Sequence, residues 1–312
     1  MSVQHHEKVY VKLEIAPARQ CTRAAIAGGL GSMLHQLLER WGLDKDLDEP
    51  IERVGAFALA MLLLDFFIAY GPFGGLSLRV FNQDEPGTPA ARRFLSQACP
   101  QRGFGLAAKV VGILFLAAVF PIAFHVLLDP ELRDGAHFTD ISHASQRMVE
   151  VASGYFVYDL IICLMKLNDN GFAFLIHAVV CFTVFTVAAF KGVLHYYGAA
   201  FLMWELSTPL MYARWLMLKA GWAHTDAFLY VSIAFMAVFF ACRNVWGPIM
   251  TLAFWRDSAL QLASASPVLP PAAIWTIRVM CIALNLLNAY WFGQMVLIAV
   301  KGSRGQPKAK AS

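Results

Sequence analysis

The chain has 312 residues, 58% of them hydrophobic and only 15% charged, with a formal net charge of +4. A water-soluble domain is about a quarter charged, so this composition excludes one that must cover a fully wetted surface. No dense Lys/Arg stripe is present, which argues against a nucleic-acid partner.

The apolar residues fall into blocks of roughly 20 or more, long enough at 1.5 Å per residue to cross a ~30 Å hydrocarbon layer. The blocks are continuous rather than alternating, so their backbone is satisfied in lipid as helix and not as barrel strand. The expected fold class is all-α, a polytopic membrane protein with about seven transmembrane helices.

In chain order, residues 1–53 read as a polar segment with a short interfacial helix around Ala24–Leu38. No cleavable signal peptide is legible there, so the first span is expected to serve as the insertion signal. That span, Val54–Leu76 within 54–80, holds Asp65 and a Gly71-Pro72 break. The polar loop Asn82–Gly103 precedes span two, Phe104–Leu128, where Pro121 is expected to kink the helix. A polar loop, Asp129–Arg147, leads to span three, Val149–Met165, which the turn Asn168-Asp169-Asn170-Gly171 ends. Span four is Phe172–Phe190, span five Val193–Leu218 and span six Ala227–Phe254. A loop with Pro267, Pro270 and Pro271 leads to span seven, Ala272–Val300, and residues 301–312 form a basic tail. Cys163, Cys181, Cys242 and Cys281 lie in apolar blocks as small hydrophobes, and Cys21 and Cys99 have no spacing that suggests a disulfide or a zinc site.

Seven spans put the termini on opposite sides, and each side carries eleven Lys/Arg. Setting aside Lys8, Lys12, Arg19 and Arg23, which lie far from any span, leaves seven against eleven. The excess places the C-terminus in the cytosol. The closing Lys-Ala-Lys-Ala-Ser, Lys308 to Ser312, resembles a retrieval signal of the endoplasmic reticulum.

Ionisable groups at membrane depth face a bundle interior or a wet cavity. Here they are Asp65, Asp159, His177, Glu205, Arg214, Arg243 and Arg278. Counting residues from the span ends puts Asp159 and His177 level, roughly 9–12 Å from the cytosolic side, and Glu205 and Arg243 level at roughly 21–25 Å. The bland readings are a hydrogen bond that sets helix register and a structural ion pair. Arg278 is expected to snorkel outward, and His195 to be interfacial. Pro209, four residues after Glu205, cannot donate to the Glu205 carbonyl, which must find a partner in Ser207, Thr208, a neighbouring helix or water.

Four segments carry a resemblance: Gly154-Tyr-Phe-Val-Tyr-Asp159; Leu175-Ile-His177; Glu205-Leu-Ser-Thr-Pro209 with Arg214-Trp215; and Phe239-Phe-Ala-Cys-Arg243 through Trp246-Gly-Pro248. In this order they resemble the TLC-domain family, which includes ceramide synthases, translocon-associated TRAM proteins and TLC-domain-only proteins. The third and fourth segments look most like the last branch. The resemblance covers 100–300 and implies a six-helix barrel, spans two to seven, around a lipid-sized cavity with span one outside. Ceramide synthases carry adjacent histidines where this chain has His177-Ala178, and a His-Asp segment where it has Met203-Trp204-Glu205.

Two functions follow as expectations. One is an endoplasmic-reticulum protein that binds or regulates lipids, sphingolipid or phospholipid acyl chains, with Glu205, Ser207, Thr208, Arg243, Tyr155 and Tyr158 contacting the lipid. The other is an N-acyltransferase of ceramide-synthase type, with acyl-CoA as substrate and His177, oriented by Asp159, as catalytic base or nucleophile. No metal or resident cofactor is called for. Membrane lipid is the expected partner, and a second copy of the chain or another membrane protein stays open.

Overall fold

The computed structural model describes residues 48–70, 104–165, 167 and 171–304. The expected interfacial helix, the Gly71-Pro72 break, the Asn82–Gly103 loop, Asn168 to Asn170 and most of the basic tail lie outside those residues. Among the described residues every regular element is helical. The helices are α1 (Asp48–Tyr70), α2 (Phe104–Leu128), the single turn α3 (Pro130–Arg133), α4 (His143–Met165), α5 (Phe172–Lys191) and α6 (His195–Leu202). They continue as α7 (Thr208–Lys219), α8 (Asp226–Phe239), α9 (Gly247–Ala263) and α10 (Pro271–Arg304). A 3₁₀ turn, Met203–Ser207, joins α6 to α7, and a π turn, Phe240–Trp246, joins α8 to α9.

Among the described residues, five helical stretches are long and apolar enough to cross a membrane: α2 from Leu106, α4, α5, the continuous run Asp226–Ala263, and α10 up to Val300. The expected spans one and five are helical as well, but α1 holds Asp65 and the 195–219 run is split into pieces of eight and twelve residues. Five of the seven expected spans thus qualify by length and composition among the described residues, and the expected first span continues past them to Leu76.

Local chemistry sets the boundaries. Gly171, at φ 81°, precedes α5, and Gly192, at φ 58°, ends it, a left-handed conformation that glycine adopts without strain. Thr225 caps α8, its hydroxyl accepting from the Phe228 N–H at 3.2 Å. The α4 helix begins six residues before the expected Val149. Ser142 and Ser145 cap its start reciprocally, each hydroxyl accepting the other's N–H at 3.1 and 2.8 Å.

The helices from α2 onward close a ring through their contacts. Helix α2 packs on α4, α4 on α5, α5 on α10, α10 on the π turn and α9, α9 on α6, and α6 back on α2. Helix α1 lies outside, against α4 and α2. It approaches α4 at Gly154, where a Cβ would stand 2.6 Å from Phe57 Cβ and 3.0 Å from the Val54 carbonyl oxygen. Two polar ties flank that crossing: Arg53 Nε donates to Glu150 at 2.9 Å, and the Tyr158 hydroxyl donates to Asp65 at 2.9 Å.

At the opposite end from His177, His195 is fully buried. As the neutral tautomer its Nε2–H donates to the Ala188 carbonyl at 3.1 Å and Nδ1 accepts from the Ser145 hydroxyl at 2.8 Å. It is a pin between α4, α5 and α6, not an interfacial residue. Arg278 also departs from expectation. It is 4% exposed, donates to Ser258 Oγ and the Trp255 carbonyl at 2.8 Å each, and lies between the rings of Trp255 and Trp275. Those partners satisfy the guanidinium in place, so snorkelling gains nothing.

Candidate functional site

Two prolines shape the site. Pro209 has no N–H for the Glu205 carbonyl, and the Thr208 N–H donates to that carbonyl instead. The shorter bond tightens 203–207 into the 3₁₀ turn. Pro248 likewise cannot donate to the Asn244 carbonyl, and the chain ahead of it widens into the π turn that carries Arg243. Turns of this kind inside helices frequently accompany functional sites.

The two distorted turns face each other. Arg243 Nη2 donates to Glu205 Oε1 at 3.1 Å, Nε to Ser207 Oγ at 3.2 Å and Nη1 to Asn288 Oδ1 at 3.2 Å. The Thr208 hydroxyl donates to the other carboxylate oxygen of Glu205 at 2.5 Å. A buried ion pair offsets its desolvation only when such further hydrogen bonds satisfy both partners, and here they do. His177 joins from α5, its Nε2 3.9 Å from Glu205 Oε1 and 3.7 Å from Cys181 Sγ.

The expected pairing of Glu205 with Arg243 is present. The expected separation of the polar residues into two depths is not, because His177 stands beside Glu205. The depth counts assumed that helix ends share one height, whereas α7 runs further past the site than α5 does. Among the described residues no hydrogen bond joins Asp159 to His177. Asp159 instead lies among Tyr155, Tyr158 and Tyr212, within electrostatic reach of Glu205. The Tyr155 and Tyr212 hydroxyls converge beside Gly112, where a Cβ would meet them at 3.3 and 2.9 Å. Of the expected lipid contacts, Glu205, Ser207, Thr208, Arg243 and Tyr155 belong to this cluster. Tyr158 points away to Asp65 on α1 and sits in an apolar cluster with Val111 and Ile162.

A small cavity of about 30 Å³ adjoins the Glu205 end of the ion pair. His177 and Glu205 line it together with the aliphatic Val180, Val184, Leu202 and Leu284 and the aromatic Phe156, Phe185, Phe201 and Trp204. Three side-chain amides nearby on α10 and the π turn each leave one polar atom without a partner: Asn288 Nδ2, Asn244 Nδ2 and Asn285 Oδ1. The asparagines, Tyr212 and the buried Glu150 carried no expectation from the sequence, and Cys181 was read only as a small hydrophobe. Uncharged amides and hydroxyls at membrane depth carry the same signal as charged groups, and Glu150 stands at the very start of its expected span. Among the described residues no group of three or more His, Cys, Asp or Glu is arranged to hold a metal ion.

Against known proteins, the family described as the TLC domain matches residues 106–297, more than half of the chain and all of the cluster just described. Topoisomerase I damage affected protein 4 of Saccharomyces cerevisiae is 26% identical over 61% of this chain and 69% of its own length. TLC domain-containing protein 4-B of Danio rerio is 27% identical over 52% of this chain and 61% of its own. Protein CLN8 of Homo sapiens is 27% identical over 52% of this chain and 58% of its own. This chain thus spans between about half and about two-thirds of the length of the curated relatives it matches.

Proposed function

This chain belongs to the TLC-domain family, and we propose on that premise that it binds an acyl-chain lipid in its cavity and so serves lipid homeostasis in the endoplasmic-reticulum membrane. The observation that supports the reading is a buried Glu205–Arg243 pair with His177 beside a small cavity whose other lining is mainly aliphatic and aromatic. Such a lining suits hydrocarbon and is unsuited to ions or sugars. Arg243 is already offset by Glu205, so the fitting head is neutral. Of the proposed lipid-contact residues Glu205 lines the cavity, and Ser207, Thr208 and Arg243 stand behind it in its hydrogen-bond network, with Tyr155 near Asp159. The lipid classes proposed are sphingolipid and phospholipid acyl chains.

Acyl transfer by His177 is the weaker reading. It calls for a ring oriented by Asp159, and the ring faces Glu205 and Cys181 instead. The next position, where ceramide synthases carry a second histidine, is a fully buried alanine, Ala178.

Mass spectrometry of the purified protein tests the binding reading. A membrane lipid should co-purify, and Arg243→Gln should lower its occupancy. Protein that is folded, stable and free of lipid would overturn it. On the seven-span reading the charge asymmetry supports a cytosolic end for α10, and a glycosylation acceptor added after Ser312 should then stay unmodified while one near Met1 is used. The reverse pattern would invert the topology.

A further inference from the structure

Of the three arginines expected at membrane depth, two are satisfied in place. Glu205, Ser207 and Asn288 hold Arg243, and Ser258, the Trp255 carbonyl and two indole rings hold Arg278. Arg214 is different. It stands on α7 where that helix packs on α8. Its Nε donates to Ser232 Oγ at 3.2 Å, and its guanidinium carbon lies 5.1 Å from the centre of the Phe228 ring. Phe228 and Ser232 are four residues apart on α8 and so share one face. Together they hold the guanidinium by one edge and one flat side. Among the described residues neither Nη has a hydrogen-bond partner and no carboxylate pairs with Arg214.

We infer that Arg214, held by Ser232 and Phe228, binds the phosphate of a membrane phospholipid at the α7–α8 seam. None of these residues lines the cavity, so the two sites are independent. Arg214 is five residues from the end of α7 and Ser232 six from the start of α8, roughly 8–9 Å inward of the turn that joins them. The headgroup layer is roughly 5–8 Å deep on each side of a bilayer, so the guanidinium stands near its inner edge, level with phosphates and glycerol esters. Trp222 in that turn and Tyr230 on α8 are exposed, as in an interfacial aromatic belt, and so are the apolar Leu229 and Ile233. An arginine that merely snorkelled to water would need neither Ser232 nor Phe228. A tethered guanidinium fork matches two phosphate oxygens and loses little entropy on binding them. With no acid beside it the site favours an anionic head.

Native mass spectrometry of the purified protein in detergent tests the site, with phosphatidylserine and a diacylglycerol of the same chains added separately. Wild type should bind its first phosphatidylserine at least about tenfold more tightly than diacylglycerol, the worth of one charge-assisted hydrogen bond. Arg214→Gln should abolish that preference, and Arg214→Lys should keep part of it. Ser232→Ala leaves the charge but frees the fork. It should weaken phosphatidylserine severalfold, and it serves as an independent arm if the arginine variants unfold. Lys219→Gln, at the end of α7, should cost less than Arg214→Gln, and an equal loss would mean diffuse surface charge and overturn the site. Inorganic phosphate should not displace the lipid, and displacement would overturn the phospholipid as the ligand. Equal affinity of wild type for the two lipids, or a preference that folded Arg214→Gln and Ser232→Ala both retain, overturns the site.

Discussion

Arg243 and Glu205, 38 residues apart in sequence, meet at 3.1 Å across two helices that a proline has distorted on each side. The guanidinium is 7% exposed and the carboxylate 15%, and each has further hydrogen-bonding partners. Removing one member strands the other in a medium of low dielectric. Glu205→Ala and Arg243→Ala should each cost roughly 3–5 kcal/mol. The double variant Glu205→Leu with Arg243→Met should cost clearly less than the sum, because no charge is left unpaired. Thermal unfolding in detergent reads all three, and additive losses would mean that the two groups do not interact.

The prolines act on geometry and not on charge. Pro209→Ala restores an N–H that can donate to the Glu205 carbonyl, relaxing the 3₁₀ turn toward α-helix and rotating the carboxylate away from Arg243. The expected result is a more regular helix with a weaker site, read as lower lipid occupancy with unchanged or higher melting temperature. Unchanged occupancy would show that the turn is incidental.

Two glycines on the interior helices separate crowding from mere proximity. Gly154→Ala forces a methyl group to 2.6 Å from Phe57 Cβ and 3.0 Å from a backbone oxygen of α1, and should cost roughly 1–3 kcal/mol. Gly198→Ala meets nothing closer than 3.5 Å, ordinary van der Waals contact, and should be tolerated or slightly stabilising as a helix former. Equal effects in thermal denaturation would contradict the close approach of α1 to α4.

Tyr158→Phe removes the hydroxyl that donates to Asp65 without changing the ring. Because this tie joins α1 to α4 and is turned away from the cavity, stability should fall by roughly 1–3 kcal/mol while lipid occupancy stays constant. Loss of bound lipid at full stability would return Tyr158 to the binding site.

The sequence alone determined the fold class, since a backbone in lipid must close its own hydrogen bonds and the apolar runs have the length of helices. It also determined several boundaries. Phe104, Leu128, Met165 and Phe172 stand where those runs stop, and the structure ends or starts helices there. The Glu205–Arg243 pair was legible because both lie deep in apolar spans and count to one depth. The start of α4 was not read from the sequence: Ser142 and Ser145 stand inside the polar segment Asp129–Arg147 expected as loop, and the helix begins at His143.

What only the tertiary structure decided is which side chains share a face and a height. A helix turns about 100° per residue, so Tyr155, Tyr158 and Asp159, adjacent in one motif, do not point one way. Tyr158 goes to α1, while Tyr155 and Asp159 turn inward. Counting along a helix gives distance from that helix's own end and nothing about how far its neighbour has slid. For that reason His177 was expected in a separate layer, and packing sets it beside Glu205. The cavity has no signature in the chain at all. Phe156, Phe185 and Phe201 come from three helices, and only the way those helices close on one another brings them into its lining.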